Sequence, residues 1–421
     1  MEKIKNFKQY IYNDSYMNIY LPFIWHGFFI ALTMSMIEMN TVLPTLITRL
    51  TSNTIAFGAL YSIMLGAPVI FNLVFSRYMQ KFEHKKKFLL FGIYLRAGSF
   101  AGMAIVTLIF AKSNPLVALL SFYFLIFTFS LSGGFAGIAY TDMIGKLLPS
   151  SKRGGFYAAK QFFNGVGALT GGFMVAWIFK PGSLNFPLNY VTSFSIGAIG
   201  LFLGAVGFWI LKEPSSIIPK EANGDRWEFL KDVLSIIKGD KGFLKFIIIE
   251  NMTSFSLMIL PFYMVFIKNS FTNYMGYLGI FVIAQITGNI ASNFLWAIIS
   301  KRFGSQAVVR LCIFIGALLP IVAIFLKPFG ISWYIILFVF IGFISSGRGI
   351  GFDLFFLDIA PEEKRTVYLG IRGTLNILVI LLPLAGGIFI RFFGFYATFI
   401  LVSIAMFTAF FMAGAYKSRI N

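Results

Sequence analysis

Glu38, Glu250, Arg348, Lys160 and Arg372 are charged side chains embedded in long apolar runs. At bilayer depth a charge costs about 2.5–3.5 kcal/mol on insertion scales, so each needs a partner, water or a function. Glu38 has Ser35 three residues before it and Thr41 three after, which makes one polar stripe on an apolar helix. A carboxyl there can carry a proton in competition with substrate, or act as a hydrogen-bonded structural group near the outer mouth; both readings stand. Glu250 and Asn251, followed by Thr253 and Ser254, fall toward the cytoplasmic end of a later run. They suit a second coupling site or an inner-gate ion pair. Arg348 suits bidentate recognition of a carboxylate or phosphate, or a salt bridge to Glu250, Asp353 or Glu38. Lys160 and Arg372 each precede an asparagine by one turn, Asn164 and Asn376, while Asp142, Asp353 and Asp358 end the preceding runs. Pairs among these are expected to latch the cytoplasmic side, and Arg96 is placed with them. Gln285, Asn289 and Asn293 recur every fourth residue, so that face is a cavity wall or a helix–helix seam.

The elements that carry these residues are membrane spans. Apolar runs fall at about 20–48, 55–76, 88–111, 115–141, 155–179, 187–211, 243–267, 273–299, 307–327, 331–357, 367–390 and 392–416, each near the ~20 residues that cross a bilayer. The fold class expected is an all-α polytopic membrane protein of twelve helices in two pseudo-symmetric six-helix bundles. The divisions are a cytoplasmic segment 1–19, a first half 20–211, a central loop 212–242, a second half 243–416 and a tail 417–421. Trp227, Leu230, Val233, Leu234 and Ile237 recur at helical spacing within the central loop, which predicts an amphipathic helix on the membrane face.

The pattern is written twice. Pro149, Lys152, Arg153, Phe156, Lys160 and Asn164 recur without a gap as Pro361, Lys364, Arg365, Tyr368, Arg372 and Asn376, an offset of 212. Ser132, Gly133 and Gly137 recur as Ser346, Gly347 and Gly351 at 214, and Leu43-Pro44 as Leu260-Pro261 at 217. At the 214 offset Arg348 corresponds to Gly134, so the repeat itself does not demand an arginine there. Duplicated halves in a polytopic chain point to alternating access around a site between them.

Composition agrees. Hydrophobic residues make up 58% and charged residues 12% of 421, with 53 phenylalanines and a mean hydropathy of +0.82. Lipid must therefore be the solvent. The net charge of +19 is a topology signal. The N-terminus, alternate loops and C-terminus hold 24 basic residues, and the opposite loops six. Both termini are thereby expected to be cytoplasmic, in the cell membrane. Basic loops of this kind face anionic lipid, so no nucleic-acid partner is expected. Cys312 is the single cysteine, and His26 and His84 are the only imidazoles. No metal site and no cofactor are expected, and no phosphate-cradling Gly-x-x-x-x-Gly-Lys-Ser/Thr loop is present to bring ATP.

Twelve spans in two halves, a long basic central loop and the 8–9 loop Ser300-Lys301-Arg302-Phe303-Gly304 resemble the major facilitator superfamily. The first-half counterpart, Ser76-Arg77-Tyr78 and onward, lacks the usual Asp and Gly. Stretches around Pro44, Pro68, Arg96 and Asp142 to Arg153 are similar to a prokaryotic branch whose name implies no substrate. The resemblance implies that the spans starting near 20, 115, 243 and 331 line a central cavity, with neighbours at 155, 187, 273 and 367. The function expected is that of a secondary transporter, not an enzyme, acting as a monomer and moving a small molecule on a proton or other ion gradient. Glu38 and the 18% aromatic content lean toward export of an amphipathic or lipophilic compound against protons. Sugar or organic-anion uptake, with Arg348 as the anchor, is the rival. A lipid flippase or a non-transporting sensor on the same fold is a further alternative. An enzyme acting on lipid-linked substrates would need an acid or histidine cluster at the surface, which the loops do not offer.

Overall fold

The computed structural model describes residues 16–79, 81–215, 236, 239–361 and 365–416. The amphipathic helix expected at 227–237, Ile236 apart, and residues 1–15 of the cytoplasmic segment expected at 1–19 lie outside these bounds. Among the described residues every regular element is helical: α1 (Met17–Met36), α2 (Val42–Leu50), α3 (Thr54–Met79), α4 (Lys86–Phe110), α5 (Pro115–Leu147), α6 (Ser150–Phe179) and α7 (Leu188–Ile210) come first. Then follow α8 (Lys241–Thr253), α9 (Ser256–Ile259), α10 (Phe262–Ser270), α11 (Leu278–Phe303), α12 (Ser305–Phe325), α13 (Tyr334–Ile359), α14 (Arg365–Leu375) and α15 (Leu382–Gly414). Among the described residues eleven stretches are long and apolar enough to cross a membrane. The last runs 47 residues, from Tyr368 to Gly414, and turns at Gly394, whose φ of 77° only glycine adopts freely. It therefore holds the eleventh and twelfth spans.

Local chemistry sets the ends. Asn114 accepts the Val117 N–H and Pro115 opens α5; Asp240 accepts the Phe243 N–H at the start of α8. Gly304, at φ 80°, separates α11 from α12.

Three spans expected as single helices are broken. The first stops at Met36 and resumes at Val42. Pro44 has no N–H to give and crowds the carbonyl one turn earlier, which weakens the helix here. The freed backbone is bonded locally: Thr41 and Leu43 donate to the Glu38 carbonyl, and Asn40 donates to its side chain. The seventh span divides into α8, α9 and α10 around Ser254 and Pro261. At the 217 offset, residues 37–41 correspond to 254–258, so the two breaks are repeat-related. The eleventh passes from α14 through a 3₁₀ segment, Asn376–Leu381, into α15.

The chain forms two compact units, and their membership does not follow the sequence halves. Unit 1 comprises residues 1–37, 67–178 and 185–220; unit 2 comprises 38–66, 179–184 and 221–421. In unit 1, α4 packs on α5 and α7, and α1 on α7. Small residues permit the approach: a side chain at Gly167 would collide with the Phe28 carbonyl. Phe23 centres the core, edge-on to Tyr140, Phe156 and Phe208. In unit 2, α11 and α13 pack through Gly288 and Gly342, and α12 lies against α13 and α15. Residues 38–66 belong to this unit through α2 and the start of α3. Lys268 donates to the Thr48 carbonyl at 2.7 Å. Thr54 donates to the Gly387 carbonyl at 2.7 Å, and Ser62 accepts the Leu384 N–H at 3.1 Å.

Candidate functional site

Glu38 sits in the break of the first span rather than on a continuous helix, so the stripe expected with Ser35 and Thr41 is divided. Its Oε2 accepts the Asn40 N–H at 2.7 Å and the Thr41 hydroxyl at 2.9 Å. Its Oε1 accepts Gln285 Nε2 at 2.8 Å. Every recorded partner is neutral, and among the described residues no cation comes within ion-pair distance. Ser35, the other member of the expected stripe, turns to the Ala31 and Ala168 carbonyls inside unit 1. The stripe on α11 divides as well. Gln285 reaches Glu38, Asn293 accepts the Ser346 hydroxyl, and the Asn289 carbonyl accepts Ser292.

Glu250, Arg372 and Asp353 meet in unit 2. Arg372 forms a fork on Glu250, with Nε 3.1 and 3.0 Å from its two oxygens and Nη2 at 2.6 Å; Nη1 reaches Asp353 at 2.9 Å. Asn376 donates to Glu250 at 2.9 Å and accepts from Asn251 at 2.8 Å. Phe356 lies 5.2 Å beneath the guanidinium. Glu250 is buried, whereas the Asp353 side chain is 70% exposed. A buried, bidentate and hydrogen-bonded pair is the arrangement that offsets the desolvation of two ions.

Arg348 makes none of the three salt bridges considered for it. Its guanidinium donates to the Thr253 carbonyl at 3.3 Å, to Ser256 Oγ at 3.4 Å and to Ser254 Oγ. It thus fills the break of the seventh span, bonding a carbonyl that helix continuity would have used and placing a cation at the C-terminal end of α8. Asp358 accepts the Ser305 hydroxyl, and among the described residues no cation pairs with it.

In unit 1 the acids are spent elsewhere than expected. Asp142 pairs with Lys85 at 2.6 Å and Lys146 at 2.9 Å, not with Lys160. Lys146 also holds Glu213 at 2.7 Å. Glu213, which the sequence reading passed over, accepts the backbone N–H groups of Lys85 and Lys86 at 2.8 and 2.7 Å and so caps α4. An acid just past the end of one span and basic residues just before another was the available signal. Among the described residues no carboxylate pairs with Arg96 or Lys160. The Arg96 guanidinium lies 4.3 Å over Phe129 and donates to the Met34 sulfur at 3.8 Å, with Nε unpartnered. Lys160 Nζ lies 4.6 Å over the ring of Tyr140, whose own hydroxyl has no partner. Among the described residues no cluster of three or more His, Cys, Asp or Glu side chains could hold a metal ion.

These broken spans and membrane-embedded charges on a duplicated helical bundle define a transporter. The family model of the Major Facilitator Superfamily matches residues 24–376 and 246–419, and the chain belongs to that family. No curated protein sequence matches it significantly. Solved structures with the same fold include a mutant of the nucleoside transporter NupG, at 15% identity and TM-score 0.70 over 94% of this chain and 99% of that one. A D-xylose-proton symporter matches at 13% and 0.67, covering 95% and 97%. A POT family transporter in complex with a thioalcohol-conjugated peptide matches at 11% and 0.69, covering 94% and 95%.

Proposed function

We propose that the protein is a proton-coupled secondary active transporter that carries a small molecule across the cell membrane as a monomer, with both termini cytoplasmic. The observation that carries this reading is Glu38: a carboxylate at a helix break, bonded by Asn40, Thr41 and Gln285 and paired with no cation. Neutral donors let such a group gain and lose a proton without stranding a counter-charge. Breaks at repeat-related positions are where transporter helices present coupling groups. A fold shared with a D-xylose-proton symporter supports the coupling ion. Because Glu38 binds α11 within unit 2, protonation there weakens the Gln285 contact and biases the packing of residues 38–66, a local bistable element of the kind alternating access requires.

Purified protein in proteoliposomes with an internal pH dye tests this. The panel comprises lipophilic cations, sugars, nucleosides and carboxylates. Substrate-dependent proton flux is expected in wild type and is abolished in Glu38→Gln. Flux that persists undiminished in Glu38→Gln removes Glu38 from the coupling step. Substrate uptake without proton flux in wild type removes proton coupling altogether.

A further inference from the structure

Of the three amides that recur along α11, two are engaged and one is not. Gln285 donates to Glu38, and Asn293 gives its oxygen to the Ser346 hydroxyl. Asn289, one turn from each, lies midway along the span Tyr274–Phe303. Among the described residues its side-chain amide has no protein partner, and the residue is half-buried with that amide not sealed. Ile280, Phe294 and Ile298 are exposed, and at about 3.6 residues per turn they fall on the side of α11 opposite the amides. The Asn289 amide therefore points away from lipid and, at this depth, needs water or a ligand.

Glu38, on the neighbouring break of unit 2, is already saturated. Its Oε2 accepts the Asn40 N–H and the Thr41 hydroxyl, and its Oε1 accepts Gln285 Nε2 at 2.8 Å and Asn40 Nδ2 at 3.4 Å. These bonds fill the roughly four lone-pair positions of a carboxylate, so a cationic cargo finds no acceptor left on it. They also fix the Gln285 amide, because turned the other way its oxygen would face the carboxylate. Held as it is, Gln285 Oε1 is sealed and without a partner. So is the hydroxyl of Tyr61 on α3, which lies within electrostatic reach of Glu38. Among the described residues Tyr61 is the titratable side chain that faces Glu38 from a neighbouring element, and no cation does. Sealed polar atoms without partners are costly, so the ionised arrangement holds Gln285 in a position that it gains by leaving.

We infer that Gln285 is shared between proton and cargo: a proton on Glu38 releases its amide, and the released amide joins that of Asn289 to bind a neutral molecule through adjacent hydroxyl or amide groups. Protonation removes the ionic acceptor that made the Nε2 bond charge-assisted. Gln285 Oε1 is then free to turn from its sealed position toward Asn289, one turn along the helix and about 5–6 Å away at Cβ. Two amides at that spacing present donors and acceptors but no charge, which suits a neutral cargo better than an ion. Because cargo reaches Gln285 only once Glu38 is protonated, cargo and proton bind together, and by reciprocity cargo strengthens the hold on the proton. This rests on the proton-coupled reading above and deepens it: the coupling is symport rather than exchange against protons, and the cargo is uncharged.

Counterflow in proteoliposomes, read at several pH values, tests this. Vesicles loaded with a pentose, a nucleoside, an aliphatic amide, an aromatic carboxylate or a lipophilic cation are each assayed for self-exchange. Exchange is expected for a neutral compound and for neither ion, and the neutral arms separate hydroxyl from amide recognition. An inward gradient of the exchanged compound is expected to carry protons inward with it. The exchange KM is expected to fall about tenfold or more from alkaline to acid pH in wild type. In Glu38→Gln, uncharged like the protonated carboxyl, it is expected to stay low across the range. Asn289→Ala is expected to raise KM about tenfold, the loss of one hydrogen bond to cargo, and Asn289→Gln to recover part of that loss. Gln285→Ala is expected to raise KM and abolish its pH dependence, which a merely structural role would not do. Because a variant can fail to fold, wild type in detergent is also melted with each compound. Stabilisation by the exchanged compound alone, and more at acid pH, is expected. Exchange of an ion alone, exchange of no neutral compound, or an unchanged KM in folded Asn289→Ala overturns the inference. Protons moving against the cargo, or a wild-type KM flat with pH, overturn it while leaving proton coupling in place. Neutral exchange with no proton flux in wild type removes the coupling reading and the inference with it.

Discussion

Removing Arg372 should damage the protein more than removing Glu250, although the two side chains share one ion pair. The asymmetry follows from what each partner keeps. In Arg372→Ala the Glu250 carboxylate, buried at 6% exposure, loses the fork of contacts at 2.6–3.1 Å and retains only Asn376. A buried ion stranded in this way costs about 3–5 kcal/mol. In Glu250→Ala the guanidinium still holds Asp353 at 2.9 Å, still lies over Phe356, and has a partner already in contact with solvent. The loss is then nearer one charge-assisted hydrogen bond, about 1.5–3 kcal/mol. Equilibrium unfolding in mixed micelles measures both variants and the double substitution. The double variant is expected to be less destabilised than the sum of the singles, because neither charge is left behind. Equal damage from the two single variants, or strict additivity, would show that the pair is not the buried, asymmetrically supported contact described, and the argument would fail.

Two further perturbations probe the helices themselves. A side chain at Gly387 meets the Thr54 carbonyl and the Ile55 backbone, so Gly387→Val should force residues 54–62 away from α15. With Ser62→Cys as reporter in a Cys312→Ser background, maleimide labelling should then accelerate on the order of tenfold, equivalent to about 1.4 kcal/mol; an unchanged rate would mean that the seam does not hold this end shut. Glu213 caps α4 and binds Lys146 with a side chain only 2% exposed, so Glu213→Ala should cost about 2 kcal/mol in the same unfolding assay. Glu213→Gln should fall between that variant and wild type, and a neutral outcome for Glu213→Ala would remove the cap from the account.

The span pattern was legible because hydropathy and length alone decide what lipid will accept. The repeat was legible because it survives in charged and small residues, whose spacing is visible without coordinates. Pro44, Pro68 and Pro261 were equally visible as points where a helix can bend, yet α3 runs through Pro68 while the spans at the other two break. Proline marks where a helix can fail, whereas the partners that make failure tolerable, Gln285 for Glu38 and Arg348 for the 253–256 segment, lie far off in the chain. The same limit applies to Lys160. Its match with Arg372 was plain, but only the helix packing shows that it meets the Tyr140 ring and Gly27 rather than an acid. Glu213 escaped notice because a cap supplied from 127 residues away leaves no local capping pattern.

The divergence of the two halves has a mechanistic logic. A symmetric repeat with a neutralised cation in each half would have two self-sufficient bundles. Here the second half keeps its acid–base network internal, at Glu250, Arg372 and Asp353, and uses Arg348 to hold its own broken helix. In the first half the acids Asp142 and Glu213 are held by Lys85 and Lys146, while Arg96 and Lys160 lie on aromatic rings. Its own break lies in unit 2 and carries Glu38, a carboxylate bonded only to neutral groups among the described residues. On the coupling proposed above, a proton at Glu38 acts through residues 38–66, which are continuous with α1 and change their packing when the Gln285 contact weakens.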